Sequence, residues 1–413
     1  MFCIIEPNPK LQRFINRLDL SLSVPQHNHL VRLTDALISV EGSKTLAALN
    51  RALREPTDQS ALSDFLTYSP WSSADVRHDA MRYIVQWVTS AKCSPETLIL
   101  ISIDDSLAKK PCASKHFEPA EWHFEANGQR QYGYGAVIVD CHIRYGHRST
   151  IANWRLYMRE KTVRRLNRHR PPSDRLRFRT KFQLAVEMLQ DIQPLLPQHV
   201  PVYVLFDSWY ASNKLIRFCR AQQWHVICAI KSNRCLNGKR LARIARYKRN
   251  KSFRPVWVNS VETATKYFAC SVVGQLNGLK GDVRVIMSKR HNRDKRPKFF
   301  MSTDTSVGIR KGLTRYSARW EIEVDHLYVK LCLGLEAFRV RSVEGIKKYF
   351  TAAFLALAYL QWRRDHSRSE CTKRIADVIY EHRREHDYQV LQAFGEEVLR
   401  LQAIQPAIKT FLS

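Results

Sequence analysis

The spacing of apolar positions divides the chain into stretches of different character. Residues 29–40 have helical apolar spacing, and residues 44–55 (KTLAALNRALRE) are rich in strong helix formers, with Ser43 placed to cap them. Residues 60–69 form a third short piece. A longer helix then starts at Pro70-Trp71-Ser72-Ser73 and runs through VRHDAMRYIVQWV, with Ser72 and Asp75 spaced like a capping box. Up to about residue 95 the chain therefore reads as a helical segment, and it fits a small DNA-binding bundle and an ordinary structural bundle equally well.

At Pro95 the pattern changes. ETLILISIDDS is a continuous apolar run ending in Asp104 and Asp105, as expected for a strand buried on both faces. QYGYGAVIVDCHIRYG and STIANWRLYM predict two more strands, with a turn near Tyr145-Gly146-His147. A helix is expected from Asp174 through FQLAVEMLQDI. It is followed by a buried strand, VYVLF, ending in Asp207, then a helix over residues 212–222 and a strand, WHVICAI. From Lys231 to about Gly312 strand-like runs alternate with basic residues, and from Gly345 onward helical patterns return, including the apolar YFTAAFLALAYLQW.

One stretch carries an unusual stripe. YSARWEIEVDHLYVK, residues 316–330, predicts a single helix. At about 100° per residue, Tyr316, Arg319, Glu323 and Lys330 fall within about 60° of one another, while Glu321 and Asp325 point to the opposite side. A carboxylate between two cations suits a metal held beside a phosphate. The same stripe also suits a solvated helix face with i,i+4 pairing.

Charge narrows the choice. The 413 residues hold 67 Lys+Arg against 38 Asp+Glu, a formal +29. That excess points to a polyanionic partner, nucleic acid ahead of an acidic membrane surface. No apolar run reaches the length of a membrane span, and the N-terminus lacks the basic and apolar regions of a signal peptide. The ten cysteines are scattered with no CxxC pair and no zinc spacing, which predicts a reducing cytoplasm and no structural metal. Residues 159–181 hold ten Lys/Arg, and KRLARIARYKRNK (239–251) is a second basic block. Both are candidates to follow a phosphate backbone.

The spacing Tyr316-x2-Arg319-x3-Glu323-x6-Lys330 resembles the YREK signature of a large group of bacterial insertion-sequence transposases. Their RNase H-like core uses two aspartates and this glutamate, the DDE triad. The order here, three strands, helix, strand, helix, strand, with acids ending the first and fourth strands, is similar to that core. The resemblance implies an α/β fold with a mixed sheet flanked by helices. Its expected layout is a helical, DNA-binding segment at 1–95, core at 96–230, a β-rich insertion at 231–312, the YREK helix at 313–345 and a helical region at 346–413. It implies Asp105, Asp207 and Glu323 as catalytic residues and ligands of two Mg2+ or Mn2+ ions, since oxygen-only ligands suit those ions. Asp104 and Asp105 point to opposite faces of a strand. Asp105 is taken because a hydroxyl residue, Ser106, follows it, as in those transposases.

Tyr316, Arg319 and Lys330 are expected to contact DNA, holding the non-transferred strand near the cut. Trp257, Phe299 and Phe300 are candidates to stack on an unpaired base, whereas Trp209 and Tyr210 are expected to pack the following helix. The implied activity is cut-and-paste transposition by a homodimer, acting on element ends and target DNA in a bacterial cytoplasm at the nucleoid. Two alternatives are a resolvase-like RNase H-fold nuclease and a transposase-derived DNA-binding protein that no longer cuts.

Overall fold

The computed structural model describes residues 4, 6–53, 60–94, 96–110, 116–124, 132–248, 252–259, 264–366 and 373–412, with side chains to residue 401. The chain divides into two compact units. One comprises Met1–Tyr83, Lys110–Glu118 and Leu327–Ser413, the other Ile84–Lys109 and Pro119–His326.

The first unit opens with helices α1 (Pro9–Arg17), α2 (Val24–Ser39), α3 (Leu46–Arg51) and α4 (Ala61–Thr67), and α5 (Ser73–Thr89) begins there. Asn8 caps α1 through its side chain, and Ser23 with Gln26 forms a capping box at α2. Thr45, not Ser43, accepts the capping bond at α3, from the Ala48 N–H at 3.3 Å.

The second unit is built on one mixed sheet. Its strands are β1 (Ile99–Lys109), β2 (Glu121–Phe124), β3 (Tyr132–Tyr145), β4 (Arg148–Tyr157), β5 (Val202–Phe206) and β6 (His225–Ile230). Between them lie α6 (Glu160–Asn167), α7 (Lys181–Ile192) and α8 (Asn213–Ala221). Strand β3 pairs antiparallel with β1, β2 and β4, while β1, β5 and β6 run parallel. The crossovers through α7 and α8 make the parallel pairing possible. Helix α7 begins at Lys181, behind a Thr180–Gln183 capping box, and not at Asp174. Residues 172–174 form only a single turn, since the extended backbone of Arg175 ends it.

A short hairpin of β7 (Cys235–Leu236) and β8 (Lys239–Arg240) precedes α9 (Leu241–Tyr247). The strands β9 (Arg254–Asn259), β10 (Ala264–Gln275), β11 (Asp282–Lys289) and β12 (Lys298–Ser302) then form an antiparallel meander. It is not a separate sheet: β12 pairs antiparallel with β6 and continues the core sheet to ten strands. The result is a large mixed sheet flanked by helices, the RNase H-like α/β architecture.

Residues 316–330 are not one helix. They divide between α10 (Ile309–Ser317) and α11 (Trp320–Leu331). Arg319 and Glu321 donate backbone bonds to the carbonyls of Tyr316 and Ala318, tighter i→i−3 steps that interrupt the α-ladder. The break has a packing cause. Tyr316 and Ala318 cover the Leu100–Tyr203–Leu205–Ile227 cluster on the sheet, whereas α11 turns to lie along β1 and β3 through ion pairs.

Back in the first unit, α12 (Val343–His366) is buried nearly throughout and packs against α2, α4 and α13 (Ile375–Leu412). Its apolar middle, YFTAAFLALAYLQW, suits a helix packed on all sides.

Candidate active site

Strand β1 is buried on both faces, so consecutive side chains serve different sides of the sheet. Leu100, with Tyr203 and Leu205 of β5, faces Tyr316 and Ala318. Further along the alternation, at even positions of β1 and odd positions of β5, Asp104 and Asp207 come out on that same face. They also stand side by side, one step past Ile103 and Phe206, the last residues paired between β1 and β5. Asp104 Oδ2 accepts from Arg319 Nη1 at 2.8 Å, and the other end of the guanidinium pairs with Glu323. Asp104, Asp207 and Glu323 therefore belong to one side of the sheet, with Arg319 joining the first and last. Asp207 Oδ1 accepts from the backbone N–H groups of Trp209 and Tyr210 at 2.8 and 3.2 Å, which fixes the carboxylate's direction.

Asp105 is on the opposite side. It accepts from Lys181 Nζ at 2.7 Å and from the Tyr210 hydroxyl at 2.9 Å, in the layer of α7. Tyr210 is buried there, and Trp209 stacks on Phe182 with ring centroids 5.0 Å apart. The structure thus groups Asp207 and Glu323 with Asp104 and leaves the sequence-chosen Asp105 in a packed ion pair.

Burial dominates the electrostatics of Asp104. Partly offset by Arg319 and His326, it lifts the carboxyl to about 6. Burial lowers the Arg319 proton affinity, but Tyr316, Asp104 and Glu323 outweigh it and keep the guanidinium charged. A buried carboxylate of this kind, beside a second acid in register and a third carried by a helix, offers an all-oxygen ligand set. Those are the donors a hard divalent cation takes.

Sequence reading missed the supports of α11. Asp140 lies opposite Asp104 across the β1–β3 pair, and on the same face His142 and Arg144 follow at alternate positions. Asp140 holds His326 at 2.6 Å, Arg144 pairs with Glu321, and His142 lies 3.7 Å from Asp325. The visible signal was the alternation of polar residues in DCHIR, inside an otherwise apolar strand.

Of the expected DNA contacts, Arg319 sits at the carboxylates. Tyr316 is half-buried against Phe300, at 4.8 Å between centroids, and burial foremost pushes its hydroxyl up to about 12. Lys330 stands in the last turn of α11, in the part of that helix assigned to the first unit. Trp257 is exposed, whereas Phe299 is buried. Most of the cations over 159–181 are exposed. In the block 239–251, residues 249–251 lie outside the described residues.

Among the described residues, the group with metal-ligand spacing is Asp35, His382 and His386, all buried in the first unit. Its sequence signal is His-x3-His on α13. Its atoms are engaged as a hydrogen-bond network. Arg363 donates to His382 Nδ1 at 3.2 Å, so His382 carries its proton on Nε2 and gives it to Asp35 Oδ1 at 2.7 Å. His386 approaches the same oxygen at 2.8 Å, Ser39 donates to it at 3.1 Å, and the Asn8 N–H donates to Oδ2 at 2.7 Å.

No helix among the described residues is long and apolar enough to cross a membrane. None of the curated proteins matches the sequence significantly. Residues 179–359 match the family described as transposase DDE domain, and residues 19–264 match DDE superfamily endonuclease. The second match spans more than half of the chain and includes Asp104 within β1 and Asp207 just past β5, and on it the chain belongs to the DDE superfamily of endonucleases.

Proposed function

We propose that this endonuclease is a transposase of the YREK-signature group of bacterial insertion sequences, cutting element ends and joining them to target DNA. The observation that carries the reading is the convergence of Asp104, Asp207 and Glu323 on one sheet face, with Arg319 between Asp104 and Glu323. DDE endonuclease domains use divalent metal ions, and the oxygen-only set favours Mg2+ or Mn2+. Two such ions, when bound, activate the attacking water or 3′-OH and steady the leaving oxygen at phosphorus. Asp104 takes the place that sequence reasoning gave to Asp105.

The chain's own residues divide the remaining work. Asp207, aimed by its turn, and Glu323, carried on α11, supply the other two carboxylates. Arg319 presents a fork suited to a phosphate beside the scissile one. Tyr316, packed on Phe300, fixes the position of Arg319, whose guanidinium lies 5.8 Å from its ring. The ion pairs from Asp140 and Arg144 hold α11 against the sheet. The formal +29 suits duplex DNA, and the active form is read as a homodimer at the nucleoid.

The test uses the purified chain and linear DNA carrying the sequences that flank its gene. Wild type is expected to cut in Mg2+ or Mn2+, while Glu323→Gln binds the same DNA without cutting. Cleavage that survives excess EDTA, or that Glu323→Gln retains, would overturn the proposal. Binding without cleavage by wild type would favour the transposase-derived DNA-binding reading instead.

A further inference from the structure

Four aromatic side chains on β2 and the start of β3 form a ladder. Trp122 lies opposite Tyr134 and Phe124 opposite Tyr132 across the antiparallel pair, with ring centroids 5.6 and 5.7 Å apart. Trp122, Phe124 and Tyr132 are 51, 63 and 54% exposed. Three large exposed rings on the edge strand β2 and the start of its neighbour β3 mark a surface built for a partner.

The position of the ladder identifies that partner. Alternation along β3 puts Tyr132 and Tyr134 on the same face as Asp140, and Asp140 is the cross-strand neighbour of Asp104. The aromatic row and the carboxylates thus share one side of the sheet. The six residues from Tyr134 to Asp140 span roughly 20 Å. A nucleic acid strand covers that distance in a few nucleotides.

Charge decides between the two natural occupants, bases and a second copy of this chain. The Arg159 N–H donates to Glu121 of β2 at 2.8 Å and the Thr162 hydroxyl to the same carboxylate at 2.9 Å, so α6, with Arg159 and Lys161 at its start, borders this strand on the face opposite the rings. A second copy would bring a further +29 to an already basic edge. A nucleic acid strand brings phosphates to that basic edge and flat bases for the rings.

We propose that Trp122, Phe124, Tyr132 and Tyr134 form a stacking site for unpaired bases of a DNA strand, a few nucleotides from the carboxylate site. The inference rests on the DNA-cleaving reading above and assigns it a single-strand subsite.

The test measures binding by fluorescence anisotropy in EDTA with the full chain. The probes are a blunt 20-base-pair duplex of random sequence, the same duplex with a six-thymidine 3′ overhang, and oligothymidylate, their sizes being roughly those of an extended strand path. Wild type is expected to prefer the overhang. Trp122→Ala/Phe124→Ala should lose at least about tenfold on the overhang and oligothymidylate, the effect of one stacked base, with blunt-duplex affinity within about twofold. Trp122→Phe should retain the preference. Equal losses on all probes, or no loss, would overturn the site. Conversion of a wild-type dimer to a monomer by the double variant, with overhang affinity unchanged, would assign the ladder to self-association. Failure of wild type to bind any probe would overturn the DNA reading itself, whereas blunt binding without overhang preference would remove only the ladder.

Discussion

Asp104→Asn and Asp105→Ala are expected to have opposite effects on stability and on cleavage. Asp104 is a buried carboxyl lifted from about 4 to about 6. The folded state therefore holds its proton more tightly than the unfolded state, and ionising it lowers stability as pH rises through that window. The penalty is fully present above about pH 7. Two units at about 1.4 kcal/mol each give about 3 kcal/mol as its upper size. Removing the carboxylate leaves Arg319 paired with Glu323. Asp104→Asn should then be neutral to about 3 kcal/mol more stable at pH 8 in EDTA, with the difference shrinking toward pH 4. Asp105→Ala instead strands the buried Tyr210 hydroxyl and unpairs Lys181, a loss of about 1–3 kcal/mol. In cleavage the order reverses: Asp104→Asn should reduce the rate at least about 1000-fold, as expected for a group acting directly at the developing charge. Asp105→Ala should stay within about tenfold once the folded fraction is counted. Urea unfolding at pH 5 and 8 and single-turnover cutting of labelled DNA measure both. Full cleavage by Asp104→Asn together with none by a folded Asp105→Ala would refute the face assignment.

Three further outcomes are expected. Burial works against charging His386, but the bond and charge of Asp35 outweigh it and raise its affinity for a proton. That stabilisation is present below the ordinary histidine range and is lost as pH rises through the raised value. Denaturant unfolding should accordingly show a fall toward pH 9 that His386→Gln abolishes, and an unchanged slope would reject the coupling. Asp35→Ala, which strips both histidines and the α1 cap of an acceptor, should cost about 3–5 kcal/mol by thermal or urea unfolding, with EDTA leaving wild type unchanged. Arg319→Ala and Lys330→Ala should keep the first nick but slow completion of the double-strand break, with Arg319→Lys only a partial rescue because the fork is lost. Time courses on end-labelled DNA would count against this role if both steps slowed alike.

The alternation between buried strands and helices was legible in the chain because each apolar run is bounded by clear turn and charge signals. Asp104, Asp207 and the spacing from Tyr316 to Lys330 were legible for the same reason, as local patterns, but β1 does not end at its aspartates: it continues to Lys109, held by pairing with β3. What could not be read is which of two adjacent aspartates shares a sheet face with Asp207 and the Arg319–Glu323 pair. A strand buried on both sides has no amphipathic pattern to orient it, so only the layers around it, α7 on one side and α11 on the other, separate Asp105 from Asp104. The break between α10 and α11 was equally hidden, since no local residue breaks the helix and the turn is imposed by the sheet beneath. Strand β12 joins the meander of residues 254–302 to β6, a pairing between segments distant in sequence. Asp35 meets His382 across 347 residues, a contact no local pattern encodes and only the packing of α2 against α13 creates.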